Sequence, residues 1–146
     1  MTCSYAIMRS KEGAVMNHDD IQRYCLSKPG AFLDYPFCPK TAVVKVKAGR
    51  GAARIFAQLF TLNGQPKATF TCDRLTGEFY RSAYPGAVGR GYHCPPVQQP
   101  FFNTVSLDGT VPDGDIIRMI DHAFQTAVSR MPGYARRELR EKARKA

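Results

Sequence analysis

The residues best suited to chemistry lie in one stretch, 86–109, which reads GAVGRGYHCPPVQQPFFNTVSLDG. Its glycines match neither G-x-x-x-x-G-K-S/T nor G-x-G-x-x-G, so the stretch does not predict a phosphate-binding loop. His93 and Cys94 are adjacent, and adjacent side chains of an extended chain point to opposite faces, so His93 is poorly placed to activate Cys94. We therefore predict no catalytic residues. The candidate pocket residues are Tyr92, His93, Cys94 and Asp108.

A metal site is not indicated either. Structural zinc needs four ligands, usually in pairs two to four residues apart, whereas His18 and His122 fall on separate predicted helices. The five cysteines contain no C-x-x-C pair and are expected to be reduced and mostly buried. No paired acids or serine elbow suggests hydrolysis. We expect neither a metal nor a cofactor, and no enzymatic activity.

Positive charge is concentrated in two segments of the chain, whose net charge is +9. Residues 41–90 carry eight bases and two acids, and the tail from residue 136 carries six bases and two acids. This distribution favours an anionic partner, with nucleic acid first; the alternative is an ordinary solvated face. The candidate phosphate contacts are Lys45, Lys47, Arg50, Arg54, Lys67, Arg90, Arg136, Arg137 and Arg140.

The 146 residues have the size of one domain. No apolar run approaches the roughly 20 residues that span a bilayer, and the apolar patch near the N-terminus is too short for a signal peptide. We expect a cytoplasmic protein that does not bind membranes. The predicted organisation is an N-terminal extension at 1–16, a single domain at 17–133 and a basic tail at 134–146.

Local signals predict a helix followed by an antiparallel meander. Asn17 can cap the helix, and Lys28-Pro29-Gly30 ends it. Asn63-Gly64 is a strong hairpin signal between two of the strands. The predicted strands are 41–47, 54–60 and 67–72.

The second half adds two helices and a strand. Asp73 can cap a short helix, the strand follows at Asn103–Leu107, and Pro112 precedes a helix with a continuous apolar stripe. The tail has helix formers but almost no apolar face, so we expect a solvated helix or an arm that orders on a partner. The fold class is α+β, with helices around one antiparallel sheet.

The order of ten short segments resembles the MmcQ/YjbR family of small bacterial proteins, over roughly residues 17–131. The segments are IQRYCLSKPG (21–30), YPF (35–37), VVKV (43–46), IFA (55–57), TCD (71–73), YPG (84–86), GYH (91–93), NTVSLDG (103–109), VPD (111–113) and IDHAF (120–124).

The resemblance implies an α-β(3)-α-β(2)-α fold, laid out like type III secretion chaperones, and a predicted DNA-binding role with a double-wing motif. It requires a further strand around Arg90–Pro96. The chain departs from the family pattern here, because His93 is followed by Cys94 and two prolines instead of Leu-Asn-Lys. The family lysine, a candidate anion contact, is therefore missing.

We therefore predict a DNA-binding module whose basic hairpin, Lys45–Arg54, grips the phosphate backbone weakly and in a salt-dependent manner. The alternative is a protein-interaction or chaperone-like module without a nucleic-acid role. Such a module would expose an apolar patch and form a homodimer, with Phe101 and Phe102 as candidate contacts.

Overall fold

One antiparallel sheet of six strands organises the protein. The fold is that of a computed structural model, which describes residues 16–92 and 94–145. The strands are β1 (Ala31–Asp34), β2 (Ala42–Val46), β3 (Arg54–Leu62), β4 (Gln65–Thr71), β5 (Val88–Arg90) and β6 (Phe102–Ser106). Their order in the sheet is β1-β2-β3-β4-β6-β5, and every neighbouring pair is antiparallel.

Four α-helices occur within the described residues. They are α1 (His18–Leu26), α2 (Arg74–Ala83), α3 (Asp113–Ser129) and α4 (Gly133–Lys145). Asn17 caps α1 by accepting from the backbone N–H of Asp20, and Asp73 caps α2 by accepting from that of Thr76. These bonds satisfy N–H groups that have no partner within a helix.

One face of the sheet, which we call the closed face, packs with the helices into the apolar core. Its strand residues include Val44, Val46, Phe56, Leu59, Phe70 and Val105, all buried. The rings of Phe56 and Phe124 on α3 meet edge to face, with centroids 5.5 Å apart. Alternate residues of the same strands point to the other side, except at an irregularity in the pairing of β2 with β3, where the adjacent Phe56 and Ala57 are both buried.

That other side, the open face, is more polar. Along one row across the sheet, Gln58 on β3 lies opposite Thr69 on β4, which lies opposite Thr104 on β6. In the adjacent row, Phe60 lies opposite Lys67. A groove lies on this face, and none of its described lining residues belongs to an α-helix.

The predicted α+β class is confirmed, as are the hairpin and both helix caps. Asn63 and Gly64 have φ angles of 53° and 78°, the left-handed conformation that a tight hairpin needs at both central positions. The helix predicted after Pro112 begins at Asp113.

Two strands differ from the expectation. An additional strand, β1, precedes the predicted meander and pairs with β2 at the sheet edge. It has four residues and no clear alternation, so tertiary pairing defines it. The further strand expected around Arg90–Pro96 lies earlier, at Val88–Arg90, because Pro95 and Pro96 have no backbone N–H to pair.

The tail is a helix anchored by two apolar residues. Ala135 and Leu139, four residues apart on one side of α4, are both buried. A Cβ atom at Gly30 would lie 2.5 Å from Leu139 Cδ2, so this leucine packs directly on the backbone after α1. Two apolar residues four positions apart are too few to form the apolar face that predicts a packed helix, so the sequence does not indicate this anchoring.

Within the same described ranges, no helix is both long enough and apolar enough to cross a bilayer.

Candidate functional site

The groove on the open face has a volume of about 1030 Å³. Its floor is formed mainly by β3, which contributes Ile55, Gln58, Phe60 and Leu62, together with Phe102 from β6. Two loops form its walls, one at residues 37–41 and one at residues 92–98. The groove therefore joins three parts of the chain that are distant in sequence.

The 92–98 wall is tied to the sheet by hydrogen bonds. The backbone N–H of Tyr92 donates to Thr104 Oγ1 at 2.8 Å, and Thr104 Oγ1 lies 2.8 Å from Thr69 Oγ1. The side-chain amide of Gln99 donates to the carbonyl of Cys94 at 3.0 Å. A loop with two prolines is thus held as a defined wall.

Aromatic rings line both sides of the groove. Tyr92 stacks on Phe60, with ring centroids 5.8 Å apart and planes 15° apart. Phe37, on the opposite wall, exposes 66% of its surface. Stacked and exposed rings of this kind provide flat apolar contact area.

The two cysteines of the groove have different environments. The Cys38 thiol is exposed and lies 3.4 Å from the hydroxyl of Thr41. This hydrogen bond, with that from the Lys40 backbone, lowers the pKa of Cys38, whereas burial raises the pKa of Cys94. Cys38 therefore carries the more readily ionised thiol of the two.

The other described cysteines belong to the interior. Burial raises the pKa of Cys25 to about 12 and that of Cys72 to about 11. All four described cysteines are free, and two of them are buried. In the part of the chain that the structure describes, no three His, Cys, Asp or Glu side chains converge to hold a metal ion.

The structure brings together two of the four candidate pocket residues. Tyr92 and Cys94 line the groove. Asp108 is not among the lining residues; it lies in the turn after β6, where its carboxylate accepts from the backbone N–H of Thr110 at 3.0 Å. That bond lowers the pKa of Asp108. His93 lies outside the described residues.

Most of the other lining residues were not singled out from the sequence as site residues; among them are Phe37, Lys40 and Gln58. The first two are separated from Tyr92 by more than fifty residues, and no local pattern joins the two loops. The period of β3 could have placed Gln58 on the same side as Phe60.

Two of the nine candidate phosphate contacts have partners on the open face. Lys45 forms an ion pair with Asp34 at 2.8 Å, and this hydrogen bond lowers the pKa of Asp34. Lys67 donates to Ser106 Oγ at 2.7 Å. Arg90 is exposed on β5, the edge strand farthest from β1.

The other six candidates lie in two elements that meet at one end of the molecule. We call the loop and strand start at 47–54, together with α4, the basic end. A Cβ atom at Gly49 would collide with the carboxylate of Glu138 on α4, so the loop and helix are in contact. Arg54 Nη2 donates to the carbonyl of Arg130 at 3.0 Å, just before α4.

The basic end carries nine bases and two acids, a net charge of +7. The exposed bases are Lys47, Arg50, Arg54, Arg136, Arg137, Arg140, Lys142, Arg144 and Lys145. The helical period places Arg137, Arg140 and Arg144 on the side of α4 opposite the buried Ala135 and Leu139.

Comparisons with known proteins agree with this fold. The family model described as YjbR matches residues 26–126. The uncharacterized protein YjbR of Escherichia coli strain K12 is 26% identical over 124 residues, which cover 85% of this chain and 98% of that protein. Its counterpart in strain O157:H7 matches to the same extent.

Two solved structures are also similar. The Deinococcus radiodurans protein DR2400, with domain DUF419, superposes with a TM-score of 0.75 at 26% identity, covering 86% of this chain and 88% of that one. A Pseudomonas syringae protein superposes with a TM-score of 0.61 at 19% identity, covering 77% and 99% of the two chains, and supports the fold alone. Because the family model covers most of its length, the chain belongs to the YjbR family.

Proposed function

We propose that the protein is a DNA-binding module that contacts the phosphate backbone of a duplex with its basic end. The observation that carries the proposal is the packing of the 47–54 loop against α4, which joins two basic segments into one surface of net charge +7. The proposal involves binding and no catalysis.

The arrangement suits backbone contact more than base recognition. Exposed arginines and lysines on a loop tip and a helix side form charge-assisted hydrogen bonds with phosphate oxygens. Such contacts release counterions, so affinity falls steeply with salt. Lys45 and Lys67 each have a protein partner on the open face. We therefore place the phosphate-binding surface at the basic end and not on the sheet.

The test is a titration of a fluorescent duplex of about 25 base pairs with the full-length chain at several salt concentrations. Full-length protein is required because Leu139, in the tail, covers part of the core. The double variant Arg50→Ala/Arg137→Ala removes one exposed cation from each half of the surface. We expect weaker binding and a log–log salt slope smaller by about 1.8, since each phosphate that a cation neutralises adds about 0.9 to the slope.

The matched control is Arg23→Ala/Arg74→Ala, which removes the same charge from exposed positions on α1 and α2. It should retain the salt slope of the unmodified chain. Equal weakening by both double variants would show that net charge, not the basic end, determines binding. No binding at about 50 mM salt would contradict the proposal outright.

A protein-interaction module is the second candidate. One observation favours it: Leu75 and Phe79, one turn apart on α2, are 79% and 63% exposed. Adjacent exposed apolar side chains of this size are typical of contact surfaces. Light scattering of the chain and of Leu75→Ser/Phe79→Ser tests for a homodimer, which the double substitution would dissociate.

A further inference from the structure

The groove on the open face has the size of a small-molecule site. Its volume of about 1030 Å³ lies at the upper end of ligand pockets, which span roughly 300–1,000 Å³. The floor follows β3 from Ile55 to Leu62, about 23 Å at about 3.3 Å per residue. These dimensions suit one elongated small molecule.

The lining selects for a flat apolar body. Ile55, Leu62 and Phe102 contribute apolar surface to the groove, and Tyr92 on one wall stacks on Phe60 in the floor. Phe37 faces the same space from the other wall, largely exposed. Aromatic side chains on both sides favour a planar partner, because rings gain from offset-stacked and edge contacts.

The lining also contains polar side chains, and two of them, Gln58 and Lys40, bear on which ligand it could hold. Gln58 lies in the floor and its side chain makes no hydrogen bond with any described residue, so its amide offers two donors and one acceptor. Lys40 is the one charged side chain among the described lining residues, and it has no ion-pair partner within the described ranges. An uncompensated cation beside an apolar surface attracts an anionic group.

We propose that this groove binds a small organic anion with a flat, apolar body, whose anionic group pairs with Lys40. Gln58 provides a hydrogen bond to a polar atom of the ligand, and Phe37, Phe60 and Tyr92 provide its stacking surface. This site lies on the open face and is independent of the basic end proposed for DNA.

The test uses the dye 8-anilinonaphthalene-1-sulfonate, which combines flat rings with one negative charge. The chain contains no tryptophan, so dye emission can be followed without overlap from indole. Phe37→Ala should raise the Kd of the dye about tenfold. Phe79→Ala is the matched control, because Phe79 is 63% exposed, against 66% for Phe37, and lies on α2 away from the groove.

The charge is tested with a neutral dye of the same ring system, N-phenyl-1-naphthylamine. Lys40→Ala should weaken the sulfonate about fivefold and leave the neutral dye unchanged. Arg23→Ala, which removes an exposed cation from α1, should affect neither dye.

Three results would overturn the proposal. Equal effects of Phe37→Ala and Phe79→Ala would place the dye elsewhere. Equal effects of Lys40→Ala on both dyes would show that Lys40 does not pair with the negative charge of the ligand. A dimer in light scattering that Phe37→Ala dissociates would identify the groove as an interface between two copies of the chain.

Discussion

The closed and open faces of the sheet are made by the same strands and differ in what lies against them. Phe70 on β4 points to the closed face and is 1% exposed, whereas Phe60 on β3 points to the open face and is half-buried. The closed face gains stability from packing with the helices. The open face, covered partly by two loops, keeps apolar and polar groups accessible, so a binding site can form there without opening the core.

The largest expected effect distinguishes the two faces directly. Phe70→Ala should lower the free energy of unfolding by about 3–5 kcal/mol, because it leaves a cavity in the core. Phe60→Ala should cost about 1 kcal/mol, roughly half the value for complete burial of the ring. Urea unfolding of both variants measures the difference. Equal losses would show that the open face is as tightly packed as the closed one.

An intermediate effect is expected where the open face holds the groove wall. Thr104→Val removes the acceptor for the backbone N–H of Tyr92. Because this hydrogen bond is exposed, the freed N–H can bond to water and its loss should cost only about 0.5–1 kcal/mol, while the Tyr92 amide should exchange faster with deuterium. Thr61→Val is the control, since Thr61 is exposed on β3 and its side chain makes no hydrogen bond with a described residue. Unchanged amide exchange in Thr104→Val would contradict the role of Thr104.

The smallest effect is expected from the Asp34–Lys45 pair on the open face. The folded pKa of Asp34 is lowered by its hydrogen bond with Lys45, so its contribution is complete above the unfolded value of about 3.9 and is lost as the pH falls through the lowered value. Asp34→Asn should therefore be slightly less stable than the unmodified chain at neutral pH and equal to it in strong acid. Urea unfolding at both pH values tests this; a difference that persists in acid would have another cause.

The two proposed sites differ in how far the sequence predicted them. All six candidate cations that the structure assembles into the basic end were identifiable in advance, because charge is visible residue by residue. The tail joins the 47–54 loop in one surface because Leu139 packs on Gly30, more than a hundred residues away. A count of charges contains no information about that contact.

The residues of the groove were predicted from the sequence less completely than those of the basic end. Tyr92 and Cys94 were singled out for their chemistry, but Phe37, Lys40 and Gln58 were not, and Asp108 lies apart from them. Glycines and prolines in 86–100 indicated a loop, and hydrogen bonds to Thr104 and within the loop determine where that loop stands.

The sequence by itself determined the elements whose signals are local: the caps at Asn17 and Asp73, the hairpin at Asn63-Gly64 and the apolar stripe of α3. Each depends on residues within a few positions of one another, where backbone preference and side-chain period act directly. The tertiary structure alone decided that β1 pairs at the edge, that α4 docks beside the basic loop and that two distant loops enclose one groove. The last two features arise from contacts between segments far apart in the chain, and the free energy of all three depends on the shape of the folded protein.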